Sequence, residues 1–156
     1  MTGLFFRSFS MHSKDQVKDA LAQITLFEGC TDETLTAVAN IAVELNLEKG
    51  QILYKPGDNA ANLYILVDGI VTFISQSGLE FLNVQRVMDR SRVFGWVALV
   101  PEHNRRIGTA QCLEDSNILS INGDQLLDIL DGDTRSGYSV MRRLCTMIAS
   151  TIDGKQ

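Results

Sequence analysis

The chain has 156 residues, 45% apolar and 21% charged, enough for one domain with a proper core, and no apolar run reaches the about 18 residues a membrane span needs. A formal net charge of −5 argues against a surface that coats nucleic acid. Three cysteines, Cys30, Cys112 and Cys145, lie far apart without C-x-x-C spacing, which offers no metal site and fits reduced thiols in a cytoplasmic protein.

Residues 1–12 carry Leu4, Phe5, Phe6 and Phe9 beside Arg7. This apolar run is too short for a secretory signal and reads as an N-terminal arm or packing tail. A single domain over 13–156 follows, with helices in 13–40, a β-roll over 43–121 and helices again over 122–152. Ser13 to Ile24 places Val17, Leu21 and Ile24 at helical spacing, with Ser13 as cap and Gln16 three residues on. Thr31-Asp32-Glu33 opens a second helix with an apolar face of Leu35, Val38 and Ala39.

From Val43 the period changes to two. Val43, Leu45 and Leu47 alternate with Glu44, Asn46 and Glu48, and Gln51 to Tyr54 is a short strand ending at the turn Lys55-Pro56-Gly57-Asp58. Leu63–Val67 and Ile70–Ser75 flank Asp68-Gly69 and predict a hairpin. Ser77-Gly78 turns the chain into a strand over Glu80 to Met88, and two more strands run over Gly108–Leu113 and Ser116–Ile121. About eight short strands at near-regular spacing predict a sandwich or jelly roll rather than a βαβ sheet.

Residues 93–112 combine a turn on Gly95, a row of small apolar residues and the cations Arg105 and Arg106. Freed backbone N–H groups facing a guanidinium make a small-anion site. On local physics a tight β-corner with two solvated arginines is the other reading.

The end is helical. Asn122 caps a short helix to Leu130, and Asp133 to Ile152 is the longest periodic segment. Tyr138, Met141, Cys145, Ile148 and Ile152 follow the 3-4-3-4 spacing of a coiled-coil seam, with Val140, Leu144, Met147 and Thr151 beside it. Two stripes fit two partners, the roll and a second copy; one broad face buried in a monomer is the alternative. His12 and His103 are isolated and no nucleophile has a visible base, so the sequence predicts neither catalysis nor a metal or other cofactor.

Taken together, the two leading helices, Lys55-Pro56-Gly57-Asp58, Leu63-Tyr-Ile-Leu-Val-Asp-Gly69, Phe94-Gly95-x-x-Ala98-Leu99, Arg106-x-Gly108-Thr109-Ala110 and the long last helix resemble the cyclic nucleotide-binding domain. That module occurs in the bacterial catabolite activator protein, kinase regulatory subunits and cyclic-nucleotide-gated channels. The resemblance runs from about Leu26 to Ile152. It implies a mainly β fold, an eight-stranded β-roll (jelly roll) with two N-terminal helices and a long C-terminal helix.

It also makes residues 93–112 a phosphate-binding cassette. Gly95 matches the cassette glycine, and Val97, Ala98 and Leu99 match the segment whose amides meet the cyclic phosphate. Arg106 matches the phosphate-pairing arginine, with Ile107 and Thr109 completing its motif; Arg105 is then a surface charge. Trp96 stands where the family places the glutamate that accepts from the ribose 2′-hydroxyl. Tryptophan offers a donor and no acceptor. Thr151 aligns near a base-contacting lid hydroxyl.

The resemblance implies a stand-alone regulatory module that binds a cyclic nucleotide-like or other phosphate-bearing anion and signals through the last helix to a protein partner or second copy. The alternative is a pseudo-receptor, with Trp96 filling the cavity, that acts as a constitutive interaction or dimerisation module. Transcription factors of the family continue into a helix-turn-helix after the long helix. With none before Gln156, no nucleic-acid binding is expected of this sequence.

Overall fold

The computed structural model describes residues 10–11, 13–75, 84–88, 92–100, 102 and 104–152, with the side chains of 84–88, 151 and 152 excepted. Residues 1–9 and 12 of the expected arm over 1–12, the Ser77-Gly78 turn, the first half of the strand after it and residues 153–156 lie outside the described residues.

Helix α1 spans Lys14–Ala22, with the Ser13 hydroxyl accepting from the Gln16 N–H at 3.2 Å. Its buried residues are Val17 and Leu21. Ile24, expected inside the helix, lies just beyond it but is still buried. A short 3-10 turn, Thr25–Phe27, leads to α2, Asp32–Ile41, capped by Thr31. The chain then becomes extended at Ala42, where β-branched and alternating residues take over.

The strands are β1 (Val43–Leu47), β2 (Ile52–Tyr54), β3 (Asn62–Asp68), β4 (Val71–Ser75), β5 (Val84–Met88), β6 (Arg92–Phe94), β7 (Gly108–Cys112) and β8 (Ser116–Asn122). They form two four-stranded sheets ordered β1-β8-β3-β6 and β2-β7-β4-β5, paired antiparallel throughout. This is the expected roll. Helices α3 (Gly123–Asp131) and α4 (Thr134–Ile152) close the chain.

Both faces of the first sheet are covered, which explains the nearly unbroken apolar run of β3. Leu63 and Ile65 of β3, with Leu119 and Ile121 of β8, join α1–α4 in one core. Tyr64 and Leu66, of the opposite parity, face the second sheet with Tyr54, Val71, Phe94, Ala110 and Ile118. The roll interior therefore carries the aromatic side chains Tyr54, Tyr64 and Phe94.

Candidate functional site

Two features place Arg106. Its backbone is clipped to the Lys55-Pro56-Gly57-Asp58 turn, since the Gly57 N–H donates to Arg106 O at 2.9 Å and the Arg106 N–H to Asp58 O at 2.8 Å. Its side chain then points inward and is only 4% exposed. Nη1 donates to Gly95 O at 3.0 Å and Nη2 to Asn62 O at 2.5 Å, while the guanidinium lies 4.2 Å from the Tyr54 ring centroid and 5.6 Å from that of Tyr64.

Tyr54 and Tyr64 stack across the two sheets at 6.0 Å, and Tyr64 stacks in turn on Phe94 at 5.4 Å. A cation over desolvated rings gains about 2 kcal/mol, and hydrogen bonds to charged donors about 1.5–3 kcal/mol each. These contacts hold a buried charge that forms no salt bridge among the described residues. Burial pushes its pKa below the ordinary value, opposed by Tyr54 and Tyr64 and least by Asp58. Arg106 Nε–H is buried without a hydrogen-bond partner.

Gly95 makes this packing possible. Its φ is +74°, and an added Cβ would stand 3.0 Å from Arg106 Nη1, 3.0 Å from Tyr64 Cδ2 and 3.2 Å from Asn62 O. Only glycine combines that backbone with that approach at little cost. The 3-10 turn Trp96–Leu99 follows directly. Val97 and Leu99 are buried and Ala98 half-buried.

Trp96 is half-buried and packs against the core shared by the first sheet and the helices. The aromatic side chains inside the roll are Tyr54, Tyr64, Phe94 and Phe73. Arg105 is exposed, with Nη1 donating to Gly57 O at 3.3 Å. Ile107 is also exposed, and Thr109 is half-buried in β7. Gly95, Arg106 and the turn 96–99 are thus brought together, while Ile107 points away from them into solvent.

Tyr54, Tyr64 and the Asn62 carbonyl are partners the sequence reading passed over. Their signal was present in the parity of β3 and in the position of Tyr54 immediately before the Lys55-Pro56 turn.

The turn 96–99 rests on α3. Gly123 opens α3 beneath the Asn122 cap, and a Cβ there would collide with the Ala98 carbonyl oxygen. Leu130, at the far end of α3, abuts Gly137 of α4, where a Cβ would stand 3.0 Å from Leu130 O. At the start of α4, Asp133 Oδ2 accepts from Thr31 Oγ1 at 2.9 Å, Thr34 Oγ1 at 2.7 Å and Ser136 Oγ at 2.5 Å. These hydroxyls hold its carboxyl well below the ordinary carboxylate range, Ser136 most strongly.

On α4, Val140 and Leu144 are buried, and Met141, Met147 and Ile148 pack against the same core. Tyr138, 67% exposed, and Cys145 face solvent. The expected seam is thereby divided between core and surface; the side chains of Thr151 and Ile152 lie outside the described residues. Burial pushes the Cys30 and Cys112 thiols up, away from the reactive thiolate. Among the described residues no His, Cys, Asp and Glu side chains cluster as metal ligands, and no helix is long and apolar enough to cross a membrane.

A sequence model of the cyclic nucleotide-binding domain matches residues 44–133, more than half of the chain. No curated protein matches it. Among solved structures, the sensor domain of the transcriptional regulator DNR from Pseudomonas aeruginosa aligns with a TM-score of 0.74 at 20% identity, over 92% of this chain and 95% of that one. The catabolite activator protein of Thermus thermophilus aligns at 0.66 and 17%, over 81% of this chain and 59% of that one. The regulatory domain of Toxoplasma gondii PKA, crystallised with cAMP, aligns at 0.64 and 22%, over 74% of this chain and 44% of that one. At these identities the structures show a shared fold, and the match over residues 44–133 supplies the family. The chain belongs to the cyclic nucleotide-binding domain family.

Proposed function

We propose that the chain is a regulatory sensor module that takes up a small phosphate-bearing anion at Gly95–Leu99 and Arg106. The observation that carries this reading is the state of Arg106: a buried guanidinium with no salt bridge among the described residues and an unpaired Nε–H. An arriving anion would neutralise that charge and give Nε–H an acceptor. It would also draw Nη1 from Gly95 O, at the base of the turn that bears on Gly123. The contacts Ala98–Gly123 and Leu130–Gly137 then give a continuous packed route to α4, whose displacement is the output toward a partner or a second copy.

Trp96 in the position of the ribose-binding glutamate sets the ligand preference. With no carboxylate there, a ribose 2′-hydroxyl gains no partner from that position and loses its water, a cost of roughly 1–3 kcal/mol. The ligand is then a phosphate-bearing anion recognised by charge more than by its sugar. Calorimetric titration with cAMP, cGMP, 2′-deoxy-cAMP and inorganic phosphate tests this. Binding abolished by Arg106→Ala is expected, with the deoxy compound held at least as tightly as cAMP. No heat from any of the four, with Arg106→Ala indistinguishable from the parent, would overturn it.

One observation favours the other reading, a pseudo-receptor. Both Nη atoms are satisfied by backbone carbonyls and Tyr54 covers the guanidinium, so the roll is closed by its own residues. In that case the module acts through α4 alone. For a homodimer the available seam is Tyr138 and Cys145, since Met141 and Ile148 already pack on the core. Tyr138→Asp, which spares the core, should convert a sedimenting dimer to monomer; a parent chain already monomeric ends that part.

A further inference from the structure

Helix α4 carries Arg135, Arg142 and Arg143 and no acidic residue, in a chain whose net charge is −5. Positive charge is therefore concentrated on one element of an acidic protein. Ser139, Arg142, Arg143 and Thr146 line a surface cavity of about 330 Å³. At 100° per residue these four share one face, roughly a quarter turn from the Tyr138–Cys145 stripe.

The two guanidiniums are held in place by different means. Arg143 Nε donates to Glu28 O at 3.0 Å and its Nη2 stands 3.7 Å from Glu28 Oε1. Ser139 Oγ donates to the same carbonyl at 3.1 Å, tying this face to the loop before α2. Arg142 lies over the Tyr138 ring at 5.7 Å, one turn back, and forms no salt bridge among the described residues. Ordering both side chains before binding removes part of the entropy that an exposed ion pair usually loses.

We propose that this face of α4 is a docking surface for a carboxylate-rich segment of another protein. Charge complementarity decides the occupant. The Arg142 fork, which forms no salt bridge among the described residues, matches carboxylate geometry, with the Arg143 guanidinium held beside it by Glu28. Beyond about 8 Å at physiological salt the net charge is screened, so the local pair governs a short contact. The surface lies on the helix assigned above as the output, but the inference stands on α4 alone and holds whether or not the cassette binds a ligand.

Fluorescence anisotropy with the full chain and a labelled peptide of alternating Glu and Ser, at physiological salt, tests the inference. Saturable binding is expected, weakened about tenfold or more by Arg142→Glu and weakened further as salt rises. Lys49→Glu, an exposed change of equal net charge, should leave it intact. Arg143→Gln, which keeps a donor for the Glu28 carbonyl, should weaken it with unchanged thermal stability. No binding, or binding indifferent to Arg142→Glu, overturns the proposal. So does self-association of the parent chain that Arg142→Glu abolishes, because the exposed Asp124, Asp128 and Asp131 of a second copy would then be the occupant.

Discussion

The Arg106 guanidinium lies 4.2 Å from the ring centroid of Tyr54, and burial changes the acidity of both. Burial pushes the Tyr54 phenol up to about 12, and the neighbouring cation only partly opposes this. The neutral phenol is thus favoured in the folded chain over the unfolded one. The resulting stability is fully present below pH about 10 and is lost as pH rises from there toward 12, by ~3 kcal/mol at most. Tyr54 should form phenolate chiefly as the protein unfolds. Ultraviolet titration and denaturation measured together check this. Tyr54→Phe should flatten the alkaline loss, and an alkaline stability profile unchanged by that substitution would count against it.

Gly95→Ala should be costly although it adds one methyl group. The left-handed φ of +74° strains any L side chain, and the new Cβ meets Arg106 Nη1, Tyr64 and Asn62 O at once. Strain and overpacking of this kind cost about 1–3 kcal/mol. Urea denaturation should show a lower midpoint with an unchanged slope. An unchanged midpoint would mean that the turn can open without loss.

Arg106→Lys preserves the charge but not the fork. One ammonium cannot replace two planar donors spanning Gly95 O and Asn62 O while lying flat on Tyr54. At least one buried carbonyl is left unpaired, for about 1–3 kcal/mol. Equilibrium unfolding measures this, and equal stability of the two proteins would show that Arg106 does not hold the corner.

Much of this was legible in the chain. The period-two runs, Lys55-Pro56-Gly57-Asp58 and the caps Ser13, Thr31 and Asn122 each state a local preference that the fold keeps, whereas the hairpin expected around Asp68-Gly69 does not form, because β3 and β4 enter different sheets. Gly95 and Arg106 stood out because a turn glycine, a row of small apolar residues and a cation occur together over residues 93–112. The missed parts are long-range. Nothing near Tyr54 in sequence announces Tyr64 or Arg106, because their contact depends on how two sheets face each other. The seam expected on α4 failed to separate core from surface for a similar reason. Spacing gives the stripes of a helix, but only the docking angle decides that Ile148 packs inward while Cys145 faces solvent.

Asp133 joins the N-termini of α2 and α4 by accepting from Thr31, Thr34 and Ser136. Its pKa is depressed, so its contribution is fully present above the ordinary carboxylate range and is lost as pH falls from there toward the depressed folded-state value. Asp133→Asn keeps a good capping residue but removes the charge. Thermal midpoints measured from neutral to acid pH should show the variant less stable at neutrality, with the difference closing as pH falls. Parallel pH profiles for the two proteins would refute this role.

Gly123→Ala separates the mechanical proposal from the binding proposal. The added methyl has no room against the Ala98 carbonyl, so the turn 96–99 and α3 must move apart. Overpacking predicts a loss of about 1–3 kcal/mol in stability. The cassette contacts of Arg106 lie on the other side of that turn and need not change. A ligand that binds through Arg106 should still bind the variant, but hydrogen exchange in α4 should no longer respond to it. If exchange in α4 follows ligand binding equally in both proteins, the signal does not pass through Ala98 and Gly123. If binding itself disappears with the fold intact, α3 is part of the site rather than its output.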